Sequence, residues 1–374
     1  MSHRGIIYRI TDRGFMKRQF ITTLVLVALL VFGAVSCSQW KVSALKSKKI
    51  CTLYGGTNPG NVLIDYNDNG VLNLSFLVRV FDGKIYTVDN ALKRVQVFQH
   101  DGTPELIIGQ KPANKEDAEK IRYTSFNFSF LGALAVDSSG NIYVQNRLMP
   151  SGAGVSAKSD EMGFSPSYIL VFNKNGELQT TLGQRGVPDI PFYYIESIEI
   201  DRHDRMFVLS RSFDTWSVYR FSGRKRDFYA NLSAIDFKES EGKDTYTGRI
   251  ENVKVFGSGE SFLVSVAYYH GSRFKYRKIY EYSLQEGRIV KTVLEIPDPK
   301  NEFFTMVNDK HIYLWNVENK KIKFVIMNFD GNIISNIMIT MRDNMCFEDI
   351  FVDESGQLYS THVGRKDIGV MEWK

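Results

Sequence analysis

The sequence predicts an all-β fold, a six-bladed β-propeller. The first observation is composition: the 374 residues include 26 Phe and 19 Tyr, and aromatic residues favour strands over helices. The second is a short turn followed by an apolar–aromatic pair, which recurs six times. The third is a strand that follows each pair and ends in an aromatic residue. The turns and their pairs occupy residues 82–86, 139–143, 203–207, 259–263, 308–313 and 355–359.

Residues 76–102 show the repeating unit most clearly. They read FLVRVFDGKIYTVDNALKRVQVFQHDG, which indicates a strand, a tight turn, a second strand, a short connection and a third strand. A glycine turn usually follows, and then a fourth strand such as residues 105–108. Four antiparallel strands repeated at intervals of roughly 45–65 residues are typical of propeller blades.

Two stretches of the second copy resemble a known family. Residues 137–144 read DSSGNIYV and residues 168–176 read YILVFNKNG, which is similar to six-bladed propellers of the NHL-repeat kind. The resemblance covers about 300 residues and implies the fold, but it says almost nothing about function. The third and fourth copies depart most from the pattern: His203-Asp204-Arg205 replaces the glycine turn, and Gly257-Ser258-Gly259 follows Phe256.

The last copy ends after its third strand. A closed ring then needs a fourth strand from the beginning of the fold, and residues 50–54 and 61–66 are the candidates. Such pairing would close the ring and remove an exposed sheet edge.

The first 36 residues have the features of an export signal. Lys17 and Arg18 precede 13 apolar or hydroxylated residues, 20–32, which is short for a membrane span of about 20 residues and typical of a signal peptide. Residues 34–37 read AVSC and resemble the lipobox of bacterial lipoproteins, which implies lipid attachment at Cys37. Ala34 stands where Leu is usual. An ordinary secretory signal and a short membrane anchor remain alternatives.

The predicted organisation follows from this signal. Met16 is a better start than Met1, which would make residues 1–15 a mis-annotated extension. Residues 37–49 are expected to form a lipidated tether and residues 50–374 the propeller. The expected location is the bacterial cell envelope, with the outer membrane or cell surface favoured. The protein is expected to be a monomer.

Net charge argues against one class of partner, and the cysteines raise the question of a disulfide. The leader holds five basic residues and one acidic residue, so 42 of the 47 basic and 41 of the 42 acidic residues remain. A net charge of about +1 gives no support for nucleic-acid binding. Besides Cys37, the chain contains Cys51 and Cys346. These two could form a disulfide in an exported protein, because the extracytoplasmic space is oxidising. Two buried, unpaired thiols are the alternative.

The two faces of the propeller are expected to differ. Connections after the first and third strands are short turns. Connections after the second and fourth strands hold most of the extra length: residues 109–126, 146–167, 184–191, 236–249 and 267–277. Long loops on a rigid scaffold commonly carry binding residues. We call this side the long-loop face and the opposite side the short-turn face.

Candidate ligand-binding residues lie on the long-loop face. Residues 268–278 interleave aromatic and cationic side chains, a combination able to bind a sugar, a nucleobase or an acidic peptide. Packing of these aromatics on the adjacent blade is the alternative. The candidates are Tyr268, Tyr269, His270, Arg273, Phe274, Tyr276, Arg147 and Arg211.

Metal-dependent chemistry is the second hypothesis. Six-bladed propellers include metal-dependent lactonases with ligands at the central channel, and the channel-lining candidates here are Glu251, Asn252, Glu348 and Asp349. No two histidines have metal-ligand spacing. Residues 65–70 resemble the first half of a calcium loop, but Phe76 stands where the bidentate Glu is needed.

The sequence therefore favours a lipid-anchored, extracytoplasmic propeller without enzymatic activity or cofactor. It would bind a protein, peptide or glycan through the long-loop face or act as a scaffold there. The alternative is a hydrolase or lactonase with calcium or another divalent cation in the channel. No residue pattern in the sequence identifies the ligand.

Overall fold

The structure is a computed structural model that describes residues 42–67, 72–73, 75–110, 121–147, 167–183, 192, 194–212, 215–340, 346–353 and 355–374, without the side chains of Val42 and residues 346–348. These residues form 29 strands and one short 3-10 helix, Leu232–Ala234. None of them forms a helix long and apolar enough to cross a membrane. The strands in chain order are β1 (Val42–Ala44), β2 (Ser47–Tyr54), β3 (Asp65–Tyr66), β4 (Leu72–Asn73), β5 (Phe76–Phe81), β6 (Lys84–Asp89), β7 (Arg94–Phe98), β8 (Pro104–Gly109), β9 (Arg122–Ser125), β10 (Phe130–Val136), β11 (Ile142–Arg147), β12 (Ser167–Phe172), β13 (Leu178–Leu182), β14 (Tyr194–Ile200), β15 (Met206–Ser212), β16 (Thr215–Ser222), β17 (Lys225–Asn231), β18 (Lys238–Glu241), β19 (Asp244–Val255), β20 (Ser261–His270), β21 (Arg273–Ser283), β22 (Arg288–Ile296), β23 (Glu302–Val307), β24 (His311–Glu318), β25 (Lys321–Met327), β26 (Ile333–Thr340), β27 (Cys346–Val352), β28 (Leu358–Val363) and β29 (Asp367–Trp373).

Six of the sheets are the blades. Blades 1 to 5 have β5–β8, β10–β13, β14–β17, β19–β22 and β23–β26 as their four consecutive antiparallel strands, and blade 6 has β27–β29 with β2. Three blades carry a fifth strand: β9 in blade 1, β18 in blade 4 and β1 in blade 5. The first strand of each blade borders the central channel, where β10 lies against both β14 and β5. The predicted all-β, six-bladed architecture is confirmed.

The N-terminal strand completes the last blade. β2 pairs antiparallel with β29, with Leu53 opposite Ile368. Of the two candidate segments, residues 50–54 lie within this strand, whereas Asp65–Tyr66 pairs instead with Leu72–Asn73. The edge of β29 is thereby covered.

The boundary predicted for the tether was wrong. Within the predicted tether, residues 37–49, β1 pairs parallel with β26 of blade 5, and β2 already begins at Ser47. The described propeller therefore begins at Val42 and not at residue 50. The physical reason is that the outer edge of β26 offers unpaired backbone groups, which this polar segment satisfies despite its lack of apolar periodicity.

Six apolar clusters lie between the six pairs of neighbouring blades. Each cluster combines residues of two consecutive blades, and the cluster of Leu53, Val80, Phe98 and Ile368 joins blade 6 to blade 1. The other five join the remaining neighbours in order around the ring. The recurring aromatic at the end of each third strand enters these clusters; Phe98, Phe172 and Phe221 are fully buried there. The repeat in the sequence thus reflects one buried position per blade interface.

Short turns on the short-turn face bond to the turns of neighbouring blades. Asp309 accepts from the backbone N–H groups of Gly257 (2.6 Å) and Ser258 (3.0 Å), and Asp204 accepts from the N–H of Ser138 (2.9 Å). Asp204 and Asp309 adopt positive φ of 58° and 53°, where Asp is tolerated better than most residues. In the third copy, Asp204 therefore occupies the turn with a positive φ and also bonds to the turn of blade 2.

Cys51 is a free, buried thiol. It lies on β2, whereas Cys346 lies on β27 at the opposite edge of the same sheet, with β29 and β28 between them. Three strand spacings place their backbones roughly 14 Å apart, while a disulfide needs Cα atoms within about 7 Å. The separation of their strands in blade 6 therefore excludes a disulfide between Cys51 and Cys346.

Candidate functional site

The long-loop face holds the connections that follow the second and fourth strands, as antiparallel blades require. Three of its five predicted long loops lie wholly or largely outside the described residues, namely 109–126, 146–167 and 184–191. The end of the first of these, Arg122–Ser125, forms β9 and pairs parallel with β8.

The other two predicted loops, 236–249 and 267–277, consist mainly of strands. The prediction of long loops at these two places was wrong. Lys238–Glu241 pairs with the beginning of β19, and β20 and β21 continue to a turn of only two residues, Gly271 and Ser272. Blade 4 therefore rises above its neighbours as a tall sheet. The aromatic residues of 268–278 alternate along strands, and this alternation, which the sequence analysis did not recognise, places them on the two faces of the sheet.

Tyr268 belongs to the core and is not available to a ligand. It is 1 % exposed and packs in the cluster between blades 3 and 4. Its hydroxyl lies 2.6 Å from that of Tyr280, and burial raises its pKa to about 12.

Tyr276 has a similar structural role. Its hydroxyl donates to Glu239 at 2.6 Å, and Lys278 Nζ donates to the same carboxylate. Burial disfavours the charged form of Glu239, but these bonds outweigh burial and lower its pKa. Glu239 thus ties β18 to the tall sheet of blade 4.

The remaining candidates of this hairpin are more accessible. His270 and Arg273 are exposed at its end, and Tyr269 and Phe274 are half-buried. The Tyr269 and Phe274 rings meet edge to face at 5.9 Å, and Arg249 lies 5.7 Å from the Tyr269 ring. Within this hairpin, the tip therefore offers more accessible surface than the buried Tyr268.

A bulge interrupts the inner strand in five blades near the long-loop face. The register shifts at Gly132–Ala133, Glu196, Glu251, Phe304 and Glu348 in blades 2 to 6. Bulges re-aim side chains locally and are common beside functional sites. Because sequence gives no sign of a bulge here, Phe304 was missed as a candidate.

A cavity of about 560 Å³ opens at the channel mouth between blades 4, 5 and 6. It brings together three of the four channel-lining candidates, Glu251, Asn252 and Asp349, with residues that the sequence analysis missed. The side chain of the fourth, Glu348, lies outside the described residues. The missed polar and aromatic lining residues are Glu302, Phe304 and Trp315.

Aromatic rings form one wall of this mouth cavity. Phe304 and Trp315 are stacked, with centroids 5.1 Å apart and planes 29° apart. Phe324, fully buried, supports Phe304 from behind at 5.4 Å. The wall is therefore rigid, since its second layer belongs to the core between blades 5 and 6.

Two carboxylates of the mouth cavity have cationic partners. Arg277 forms a two-pronged pair with Glu251 and also donates to the Asn301 carbonyl. Arg79 Nη1 donates to Asp349 Oδ2 at 2.5 Å. Asn252 Nδ2 donates to the Phe303 carbonyl at 3.2 Å, which leaves its amide oxygen as an acceptor. Glu302 is exposed at the rim.

A second cavity of about 520 Å³ lies beside the first at the channel. Both cavities are lined by Phe304 and Ile350, so they are neighbours on either side of these residues. The second is lined by Arg147, Phe130 and Tyr194 of blades 2 and 3. Arg211, another cationic candidate, is exposed and lies 5.4 Å from the Trp216 ring.

In the part of the chain that the structure describes, no group of three His, Cys, Asp or Glu residues is arranged to hold a metal ion. In the calcium-like segment, Asp65 accepts a hydrogen bond from Asn73 Nδ2 at 2.9 Å. Residues 68–70 of that segment lie outside the described residues.

Six sheets around a central channel define the chain as a six-bladed β-propeller. No family model matches it, so the NHL-type repeat stays a prediction, and no curated protein matches it either. It is similar in fold to the Dos1 propeller, at 11% identity over 90% of this chain and 96% of that one, with a TM-score of 0.41. A gluconolactonase from Xanthomonas campestris shares 12% identity over 78% of this chain and 82% of that one, with a TM-score of 0.41. A glucose dehydrogenase shares 9% identity over 87% of this chain and 98% of that one, with a TM-score of 0.44.

Proposed function

We propose that this propeller is a lipid-anchored, extracytoplasmic binding protein that takes a glycan into the mouth cavity of its long-loop face. The observation that carries the proposal is the stacked pair of Phe304 and Trp315 beside Glu302 and Asn252 in one cavity. Binding pockets typically combine aromatic walls with a few placed polar groups. The apolar face of a sugar ring packs on aromatic rings, and its hydroxyls pair with carboxylate and amide oxygens.

The paired carboxylates suit recognition better than catalysis. Glu251 and Asp349 each accept hydrogen bonds from an arginine, which fixes the positions of their oxygens. Such oxygens keep free lone pairs as acceptors for sugar hydroxyls. The lining of the cavity is concave. A glycan therefore fits into it better than the surface of a protein partner would.

Attachment through Cys37 is part of the same proposal. It rests on the signal-like residues 17–37, which end in the lipobox-like Ala34-Val35-Ser36-Cys37. Lipid at this cysteine would hold the propeller at an envelope membrane. Replacement Cys37→Ser should abolish metabolic labelling with a fatty acid and release the protein from the membrane fraction.

The binding proposal is tested by titrating full-length protein, extracted in detergent, against a panel of bacterial and plant oligosaccharides. Trp315→Ala is expected to weaken binding of any hit at least tenfold, because it removes half of the stacked wall. Tyr229→Ala is the matched control, since Tyr229 is 48 % exposed on the outer strand of blade 3. Unchanged affinity of Trp315→Ala, or no hit in the panel, would refute the proposal.

A hydrolase or lactonase with a divalent cation is the second candidate. Glu251, Asn252 and Asp349 line one cavity, and such oxygen ligands are the kind that Ca²⁺ prefers. Calcium would then raise the melting temperature, a chelator would reverse the effect, and Asp349→Asn would abolish it. Absence of any calcium-dependent shift would remove this candidate.

A further inference from the structure

Two cations flank one aromatic ring at the edge of the second cavity. Lys93 Nζ lies 5.3 Å and the Arg147 guanidinium 5.5 Å from the centroid of Phe130. Lys93 belongs to the connection between β6 and β7 of blade 1, whereas Arg147 ends β11 in blade 2. Two separate blades therefore each bring a cation close to the Phe130 ring, which lines the second cavity together with Arg147.

Neither Lys93 nor Arg147 forms an ion pair within 4.0 Å in the described part of the chain, although the charge of Asp89 acts on Lys93. Arg147 Nε is buried without a hydrogen-bond acceptor, and so is Ser75 Oγ on the same cavity. Burial also lowers the pKa of Lys93. Burying a polar group without a hydrogen-bond partner costs free energy. At this site the protein's own side chains do not offset that cost for Arg147 Nε and Ser75 Oγ.

The contrast with the mouth cavity indicates the ligand. Glu251, Glu302 and Asp349 give the side formed by blades 4 to 6 its carboxylates. On the side formed by blades 1 and 2, Arg79 is paired with Asp349, whereas Arg147 and Lys93 form no close ion pair among the described residues. Glu196 and Glu199 also line the second cavity, from blade 3. Glu196 is exposed, Glu199 pairs with Lys254 at 3.2 Å, and neither of these described side chains forms an ion pair with Arg147. A ligand that spans both cavities would place neutral hydroxyls on the first side and an anionic group on the second.

We propose that Arg147 and Lys93 bind a carboxylate of the glycan, so that the ligand class is an acidic oligosaccharide containing a uronic-acid type of sugar. This inference rests on the proposed function. A planar guanidinium matches a carboxylate in a two-pronged geometry, and Lys93 adds a point charge from the facing blade. Phe130, 39 % exposed, offers a ring face beside them.

The test compares matched pairs of oligosaccharides, each a uronate and its methyl ester, by titration with full-length protein in detergent. The ester keeps the sugar and removes the charge. The wild-type protein is expected to prefer the acid at least tenfold, and the preference should fall as salt rises. Arg147→Gln should bind the uronate only as tightly as the wild-type protein binds the methyl ester. Lys93→Gln should retain part of the preference for the uronate.

Arg147→Lys separates charge from geometry and should retain a reduced preference for the acid. Circular dichroism and melting temperature confirm that each variant is folded. Equal binding of acid and ester by the wild-type protein, with Arg147→Gln unchanged, would overturn this inference and leave the glycan proposal intact. Failure of both members to bind would overturn both.

Discussion

Asp349 on the inner strand of blade 6 accepts a hydrogen bond at 2.5 Å from Arg79 on the inner strand of blade 1. The guanidinium also lies 5.0 Å from the ring of Phe351. This pair joins the first and last blades at the channel, on the inner side of the apolar cluster that contains Leu53 and Phe98. The junction that closes the ring is therefore held by both charge and apolar packing.

Asp349→Ala is expected to lower the free energy of unfolding by about 0.5–1 kcal/mol, since both side chains are about one-third exposed (35 % and 37 %) and solvent screens the pair. Urea denaturation at low salt and in 1 M salt measures it, and the loss should shrink at high salt. Glu105→Gln, which breaks the pair with Lys84, is a control at a site within one blade. A loss that does not depend on salt would contradict the electrostatic account.

The closing strand is expected to be essential. Leu53→Ala should cost about 2–4 kcal/mol, because Leu53 is 1 % exposed in the cluster between blades 6 and 1. Its neighbour Tyr54 is 66 % exposed, and Tyr54→Ala should change stability by less than about 0.5 kcal/mol. Equal effects of the two substitutions in urea denaturation would argue against this strand pairing.

The two ends of the hairpin in blade 4 are expected to behave differently. Tyr268→Ala should destabilise the protein by about 3–5 kcal/mol through loss of a fully buried ring, and Tyr268→Phe by about 1 kcal/mol through loss of the bond to Tyr280. Arg273→Ala at the exposed tip should leave the melting temperature unchanged. A mild effect of Tyr268→Ala would contradict its placement in the core.

Cys51 is expected to be unreactive in the folded protein. Burial, with a smaller contribution from the charge of Asp101, raises the pKa of its thiol to about 12, and the thiolate is the reactive form. In full-length protein carrying Cys37→Ser and Cys346→Ser, a disulfide reagent at pH 8 should modify Cys51 only as fast as the protein unfolds. Added urea should accelerate modification. Rapid reaction without urea would show that the thiol is accessible.

The candidate site was only partly predictable. Glu251, Asn252 and Asp349 were expected at the channel, and all three line the mouth cavity. Phe304 and Trp315 were missed because a bulge directs Phe304, and bulges leave no mark on the apolar pattern. Tyr268 was misplaced because residues 267–277 resemble a polar, aromatic loop, although they continue the two strands of a hairpin.

The sequence by itself determined the all-β propeller, the number of blades and the need for a strand from the beginning of the fold to complete the last blade. Each of these follows from local pairing and from one buried aromatic per repeat, which are readable along the chain. Only the tertiary structure decided which side chains meet at the channel mouth. Phe304 and Asp349, or Lys93 and Arg147, come from different blades, and their distance depends on how the twisted sheets pack around the ring.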